Sequence, residues 1–184
     1  MPRLFVALRP PAAIRDLLLD LEDGVDGARW QDEDQLHLTL RFIGEVDGRQ
    51  AEDIALALSA VHHPSFALRL ASVGTFARKG AVHTLWAGVT PPEEVTALHN
   101  KVDAALGRAG LPPEPRRFQP HITLARFSRS ARPALSDFAQ RHAALGSEPF
   151  TVGDFGLYES RLGRHGASYH LAAQWPLAPL ASPL

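Results

Sequence analysis

The sequence predicts an α+β fold in which two mainly antiparallel sheets face a central cleft and the helices lie outside. Three observations lead to this expectation. Sequence landmarks recur at a nearly constant spacing, each copy alternates strand and helix patterns, and 45% of the 184 residues are hydrophobic, enough for a sizeable core. We therefore expect one bilobal domain over residues 1–184, built from duplicated β-α-β-α-β units with pseudo-twofold halves of roughly 1–82 and 83–184.

Each half begins with an apolar strand that ends shortly before a double proline. Residues 4–8 (LFVAL) precede the prolines at 10–11, and residues 85–89 (LWAGV) precede those at 91–92, 81 residues later. Proline suits both a strand end and the first turn of a helix. Apolar residues at helical spacing follow each pair, so a helix is predicted there. These residues are Ile14, Leu17, Leu18 and Leu21 in the first copy, and Val95, Leu98, Val102 and Leu106 in the second.

The remainder of each half supplies two more strands and a second helix. The motif at 37–40 (HLTL) recurs at 121–124 (HITL), and the strand pattern at 66–70 recurs at 150–154, both at an offset of 84 residues. The same order of landmarks at the same offset indicates an internal duplication. The predicted second helices lie near 51–61 and 133–145, and a closing strand is predicted at 169–177.

The two His-x-Thr motifs carry the predicted chemistry. Alternate residues of a strand share one face, so His37 points with Thr39, and His121 points with Thr123. Cleavage of a phosphodiester needs a base and an acid, and histidine can serve as either near pH 7. The threonine hydroxyls can donate to the non-bridging oxygens, where charge must be held. The sequence therefore predicts His37 and His121 as a catalytic pair that works without a metal.

Composition removes several other classes of protein and site. The chain has no cysteine, which excludes a disulfide scaffold, a thiolate nucleophile and a Cys-ligated metal. Its net charge of −1 does not suit a general nucleic-acid coat. No carboxylate or second histidine lies at a ligand spacing near either motif, so no metal or other cofactor is expected.

No targeting or membrane segment is visible in the sequence. The apolar run at residues 4–8 is too short for a signal peptide or for the roughly 20 residues that span a bilayer. We expect a cytoplasmic protein that does not bind membranes and is a monomer. The proline-rich end, WPLAPLASPL, is expected to fray.

The motifs and their surroundings resemble the 2H phosphoesterase superfamily, and within it the RNA 2′,3′-cyclic phosphodiesterase family, also called 2′-5′ RNA ligase. The resemblance rests on HLTLRFIGEV and RRFQPHITLAR, and it extends from RLFVAL near the start to the Tyr-His-Leu at 169–171. It implies a bilobal pseudo-twofold fold, a role in RNA processing and hydrolysis of 2′,3′-cyclic phosphate to a 2′-phosphomonoester. Some members also form 2′-5′ linkages in the reverse direction. His37, Thr39, His121 and Thr123 match the family's catalytic and phosphate-binding positions.

Neighbouring residues are predicted to bind the substrate. Arg41 continues the alternation of His37 and Thr39, so it faces the cleft if the strand stays regular. Arg126 falls on the face opposite His121 by the same count, but it matches the arginine of the family's block, and a local bend would bring it in. Phe42 and Phe118 lie near the two motifs and are predicted to stack on a terminal base. The predicted substrate-binding residues are Thr39, Thr123, Arg41, Arg126, Phe42 and Phe118.

Two questions stay open at this stage. Residues 116–135 contain five arginines and no acid, which favours a basic rim for an RNA end, although an ordinary solvated surface is the alternative. The expected partners are RNA ends or nucleotides that bear a 2′,3′-cyclic phosphate. A non-catalytic module that binds RNA ends is the alternative function. Two histidines with two threonines favour catalysis, because binding alone needs no matched acid and base.

Overall fold

A computed structural model describes residues 1–180. This part of the chain contains nine β-strands, four α-helices and a short 3₁₀ helix at Glu33–Gln35. The strands are β1 (Arg3–Leu8), β2 (Arg29–Trp30), β3 (Leu38–Glu45), β4 (Phe66–Arg78), β5 (Ala81–Thr90), β6 (His121–Arg126), β7 (Phe150–Val152), β8 (Asp154–Gly163) and β9 (Gly166–Pro176). The helices are α1 (Ala12–Leu19), α2 (Gly48–Ser59), α3 (Glu93–Arg108) and α4 (Ser136–His142).

The helices lie where their apolar patterns predicted them, with small shifts at their ends. All four predicted core residues of α3 are buried, whereas Leu17 of α1 is 42% exposed, so the predicted apolar stripe of α1 is narrower than expected. Helix α2 begins before residue 51 because the Asp47 side chain accepts the Gln50 amide at 2.8 Å and caps the helix at its first turn. No helix within residues 1–180 is both long enough and apolar enough to cross a membrane.

The strands form one continuous path in which all pairings are antiparallel, in the order β7-β4-β5-β6-β3-β1-β8-β9, with β2 beside β6. The α+β class and the antiparallel sheets are confirmed. The two lobes are joined where β3 meets β6 through the pair Leu38 and Ile122. Ala67 of β4 likewise faces Thr151 of β7. Both are pairs of repeat-equivalent residues, so the two pairs mark the pseudo-twofold axis.

Each lobe combines strands from both halves of the sequence. Strand β1 lies between β3 and β8, although β8 belongs to the second half. Strand β5 lies between β6 and β4, although β4 belongs to the first half. The duplicated halves therefore exchange strands, and the structural lobes cross the sequence boundary near residue 82.

Buried side chains from both lobes form one hydrophobic core. Ile54 of α2, Leu98 of α3, Leu70 of β4 and Phe155 of β8 are each at most 1% exposed. Burying a side chain of this size contributes about 1.5–3 kcal/mol, so the helices are held on the sheet mainly by these contacts.

The C-terminal segment is anchored further than predicted. Strand β9 continues to Pro176, Leu177 is buried, and the Ala178 amide donates to the His63 carbonyl at 3.0 Å. The expected frayed end can therefore apply only beyond this contact, and its last part, residues 181–184, lies outside the described residues.

Candidate active site

The two His-x-Thr segments meet at the pseudo-twofold axis, as predicted from the repeat. Leu38 and Ile122, which follow the two histidines, pair with each other, and both side chains are buried. His37, Thr39, His121 and Thr123 are half-buried. Because side chains alternate along a strand, burial of the apolar neighbours turns both imidazoles and both hydroxyls toward the other face.

Each imidazole is held by the same contact in both copies. Nδ1 of His37 lies 2.6 Å from the Gln35 carbonyl oxygen, and Nδ1 of His121 lies 2.7 Å from that of Gln119. A carbonyl can only accept, so Nδ1 of each ring carries a proton that it donates, and Nε2 of the neutral ring keeps its lone pair. The rings are thereby fixed in the tautomer that leaves Nε2 available for proton transfer.

The Thr39 hydroxyl lies 2.9 Å from Nε2 of His37 and donates to it in the neutral ring. This contact places the hydroxyl at the nitrogen that would exchange a proton with substrate. A phosphate oxygen that entered here would take the same hydroxyl as a donor. Thr123 occupies the equivalent position after His121.

In the free protein the pKa of each imidazole is lowered, which favours the neutral form of both rings. Burial lowers the pKa of His37 to about 4, the hydrogen bond to the Gln35 carbonyl opposes this, and the charges of Arg126 and His121 lower it further. Burial also lowers the pKa of His121, again opposed by its carbonyl partner and reinforced by Arg126. Both rings therefore respond to the charge of Arg126, and His37 also responds to that of His121. Thr39 and His121 line one cavity, so groups of both motifs face one space.

A β-bulge in each catalytic strand decides which neighbours join this space. The pairing of β1 with β3 skips Leu40, and the pairing of β5 with β6 skips Leu124, the repeat-equivalent residue. Both bulge carbonyls are satisfied, because Leu40 accepts from Nδ1 of His99 at 2.6 Å and Leu124 accepts from the Gln31 amide at 2.8 Å. The extra residue reverses the alternation that follows it, through Arg41 and Phe42 in β3, where a second shift skips Ile43, and through Arg126 in β6.

The bulge at Leu124 explains the orientation of Arg126. Counting along a regular strand placed it opposite His121, whereas the bulge at Leu124 returns it to the face of the two histidines. Phe42 is the repeat-equivalent of Arg126 and is turned the same way, with its ring centroid 6.2 Å from that of Phe5. Phe42 is 49% exposed, as a stacking surface requires.

The bulge at Leu40 turns Arg41 away from the cleft face that regular alternation predicted, and its side chain is buried. Its Nε donates to Asp103 of α3 at 2.7 Å, and its other nitrogens donate to the carbonyls of Phe42 and Pro112. Glu114 lies 3.7 Å from the same guanidinium. These contacts engage the guanidinium and tie the 112–114 loop to β3 and α3, so the structure gives Arg41 a bracing role. Its predicted contact with substrate stays a prediction.

Phe118 stacks on His99 with ring centroids 4.1 Å apart and an interplanar angle of 1°. Together with Phe42, Phe76 and His83 it lines a cavity of about 320 Å³ beside Thr39 and His121. This cavity, called here the aromatic cavity, offers ring surfaces next to the catalytic groups. One face of Phe118 is already covered by His99, so only its other face can stack on a base.

Some arginines of the predicted basic rim are already engaged in contacts within the protein. Arg116 is paired with Glu114 at 3.0 Å, and Arg117 lines the aromatic cavity. Arg132 donates to the carbonyls of Arg129 and Ala131 in an exposed turn. Of the five arginines, Arg126 is the one whose charge lowers the pKa of both imidazoles.

Several site residues were not predicted from the sequence. The glutamines two residues before each histidine recur at the same offset of 84, so the repeat itself carried a signal for Gln35 and Gln119. The ring of Tyr169 lies edge-on to His37 at 5.1 Å, and Phe5 lies 4.9 Å from the same imidazole. Tyr169 comes from β9, and no local pattern marked it as a neighbour of His37.

Within residues 1–180, no three histidine, cysteine, aspartate or glutamate side chains lie together as a metal site would require. The expectation that the reaction uses no metal stays a prediction.

Comparison with known proteins agrees with this geometry. The model of the 2′-5′ RNA ligase superfamily matches residues 6–164. The chain belongs to this superfamily. An RNA 2′,3′-cyclic phosphodiesterase of Archaeoglobus fulgidus is 32% identical over 91% of this chain and 96% of its own length. One from Escherichia coli is 30% identical over 95% of this chain and 96% of its own length.

A solved superfamily member extends the match to three dimensions. The crystal structure of E. coli LigT complexed with 3′-AMP superposes with a TM-score of 0.76 and 28% identity, covering 96% of this chain and 99% of that one. The fold of this solved structure is therefore present here.

Proposed function

We propose that the protein hydrolyses the 2′,3′-cyclic phosphate at the end of an RNA, or of a nucleotide, to a 2′-phosphomonoester. The observation that carries this proposal is the pair of imidazoles held in the same tautomer by repeat-equivalent carbonyls at the lobe junction. Relatives that align over nearly the whole chain are RNA 2′,3′-cyclic phosphodiesterases, which supports the same reaction here. The protein is accordingly a phosphoric diester hydrolase.

The proposed mechanism uses the two histidines as base and acid. One imidazole takes a proton from a water molecule while the water oxygen forms a bond to phosphorus. The bond from phosphorus to the 3′ oxygen breaks, and the second imidazole, in its charged form, gives that oxygen a proton. The products are a 2′-phosphate and a free 3′ hydroxyl. Thr39, Thr123 and Arg126 would donate to the non-bridging oxygens, where negative charge is held.

The aromatic cavity suits the terminal nucleoside. It adjoins Thr39 and His121, and the exposed ring of Phe42 stands at its edge. We infer that the base stacks on Phe42 and on the free face of Phe118, an interaction worth about 1–3 kcal/mol per base. Stacking tolerates every base, so little preference for base identity is expected.

The same groups would catalyse ligation when a different nucleophile attacks the phosphorus. If the 5′ hydroxyl of a second RNA replaces water, its oxygen bonds to phosphorus as the 3′ oxygen leaves, and a 2′-5′ linkage results. The base and the acid keep their roles, so no additional residue is required.

The decisive experiment separates catalysis from the alternative of RNA-end binding alone. We expect the purified protein, freed of metal with a chelator, to convert adenosine 2′,3′-cyclic phosphate to 2′-AMP, identified by ³¹P NMR against 2′- and 3′-AMP standards. His37→Ala and His121→Ala should each lower kcat by about 10²–10⁴. His62→Ala, at an exposed position, is the control. Binding of the nucleotide without turnover would establish the binding module instead.

We further infer that residues 1–184 act as one domain, because strands of both halves are needed to build each lobe. A monomer in the cytoplasm remains the proposed state, and gel filtration with light scattering would test the mass in solution.

A further inference from the structure

A second groove adjoins the candidate active site. It has a volume of about 440 Å³ and includes Gln35, which holds His37, and Tyr169, which lies against the same imidazole. None of its lining residues belongs to the aromatic cavity. The two spaces are therefore separate: the aromatic cavity includes His121, and the groove includes Gln35 and Tyr169, which contact His37.

Three exposed arginines from separate parts of the chain line this groove. Arg29 lies on β2, Arg126 on β6, and Arg164 at the turn between β8 and β9. No carboxylate is among the lining residues, and within residues 1–180 none of the three makes an ion pair. We call this feature the arginine groove.

The register of the sheet places two of these charges side by side. Arg29 pairs directly with Arg126 across the antiparallel strands β2 and β6. Like charges that face each other across a sheet destabilise the pairing, so this arrangement costs stability in the free protein. An anion bound between the two guanidiniums would offset that cost, and arginine is suited to bidentate recognition of a phosphate.

The third arginine is brought to the groove by a tethered hairpin. The Gln35 side chain donates through Nε2 to the Ala167 carbonyl at 2.7 Å, which fastens the start of β9 beside the segment that leads into His37. Gly166 at the turn has φ +114°, a conformation that L side chains rarely adopt. The turn that carries Arg164 therefore has a defined position next to the catalytic strand.

A neighbouring cavity that includes His37 differs in its charge. It has a volume of about 710 Å³ and contains Arg9 and Arg15. Arg9 is paired with Asp34 and Arg15 with Glu33, each at 3.2 Å, so these cations are already neutralised. Free positive charge next to His37 is concentrated in the arginine groove.

We propose that the arginine groove binds the internucleotide phosphate on the 5′ side of the terminal nucleotide, so that the enzyme prefers an RNA strand to a mononucleotide. This inference rests on the proposed function, with the terminal nucleoside in the aromatic cavity and the cyclic phosphate between the histidines. A mononucleotide has no second phosphate and leaves the groove empty. The strand then continues past Arg29 and Arg164.

The test compares two substrates that share one reacting group. Rates are measured for adenosine 2′,3′-cyclic phosphate and for a tetranucleotide that ends in the same group, with wild type, Arg29→Gln, Arg164→Gln and the double variant. We expect the double variant to lose about tenfold in kcat/KM on the tetranucleotide and to keep the wild-type value on the mononucleotide. Arg49→Gln, at an exposed site on α2, is the matched control. Arg126 is left intact because it also faces the catalytic histidines.

Salt dependence supplies a second readout. Each phosphate contact to a single strand contributes about 0.7 to the slope of log affinity against log salt concentration, so the double variant should show a shallower slope for the tetranucleotide alone. Equal losses on both substrates, or no loss on the tetranucleotide, would overturn the proposal.

Binding keeps the two proposals distinguishable. If neither substrate is hydrolysed, the proposed function fails, and the subsite is still tested by the affinity of a tetranucleotide 2′-phosphate relative to 2′-AMP. A tetranucleotide advantage that the double variant abolishes supports the arginine groove. The absence of any advantage refutes it.

Discussion

Binding of an anion between the histidines should charge an imidazole that is neutral in the free protein. The pKa of His37 is lowered to about 4, mainly by burial, so only about one molecule in 10³ carries the charged ring at pH 7. General acid catalysis needs a charged ring, and the substrate itself is the nearest source of compensating negative charge. We therefore expect proton uptake when the site fills.

The expected change in protonation follows from two opposing free energies, the cost of charging the ring and its attraction to a bound anion. Charging a ring of pKa about 4 at pH 7 costs about 4 kcal/mol, at 1.36 kcal/mol for each pH unit. A single negative charge about 4 Å away, at an effective dielectric constant of about 20, returns about 4 kcal/mol. The two nearly cancel, so a bound anion should favour protonation by a factor of about 10³ and leave the ring close to half-charged at pH 7.

Sulfate is a suitable probe, because it stays a dianion throughout the neutral range and is not turned over. In protein labelled with ¹⁵N-histidine, the ring nitrogen shifts of His37 should move from those of a neutral imidazole toward those of a charged imidazole on sulfate addition at pH 7. His37→Gln assigns the resonance. Competitive inhibition of cyclic phosphate hydrolysis by sulfate confirms that the ion occupies the site.

The same change in protonation should appear in the kinetics, because the pH profile of kcat/KM and that of kcat should differ in position. Unshifted imidazoles would place both limbs around pH 5–8, and the lowered pKa values of His37 and His121 move the kcat/KM profile, which reports the free enzyme, to lower pH. The kcat profile of the bound complex should lie at higher pH. Each limb of a profile reports the coupled pair of histidines and is not assigned to one residue. A His37 ring that stays neutral under saturating sulfate, together with coincident profiles, would refute this reasoning.

Three further outcomes are expected. Thr39→Val and Thr123→Val should each lower kcat by about tenfold, because one phosphate donor is lost while proton transfer survives. This loss is smaller than that expected for either histidine, and a loss equal to that of His37→Ala in steady-state rates would contradict the prediction. Activity should persist in excess EDTA, and loss that a divalent ion restores would contradict the metal-free mechanism. Ile54→Ala should lower the free energy of unfolding in urea by about 2–5 kcal/mol, whereas Leu56→Ala, 73% exposed on the same helix, should change it by less than about 0.5 kcal/mol.

The repeat in the sequence predicted the strands and the meeting of the two His-x-Thr segments, because duplicated halves bring equivalent residues to a common axis. Leu38 facing Ile122 is the direct confirmation. The helices followed from apolar spacing, as the buried stripe of α3 shows. These features depend on patterns within one segment, or on a comparison between two segments, and both can be read from the chain.

The bulges could not be predicted, and they decide the surroundings of the site. Neither Leu40 nor Leu124 is a glycine or a proline, so no turn chemistry marks the extra residue. The orientation of Arg41 depends on partners about 60 and 70 residues away, Asp103 and Glu114. Contacts across such separations are set by tertiary packing, which periodicity along the chain does not encode.

The exchange of strands between the halves also governs how the chain acquires its structure. Arg3 of β1 pairs with Ser160 of β8, so β1 obtains its second neighbour only when β8 is available. At the usual 5–20 residues per second, synthesis of 160 residues takes roughly 8–32 s, during which the apolar β1 has one open edge. Pairing over such separations is intrinsically slow. The nascent protein therefore carries an open, apolar edge at β1, which favours aggregation, until β8 pairs with it.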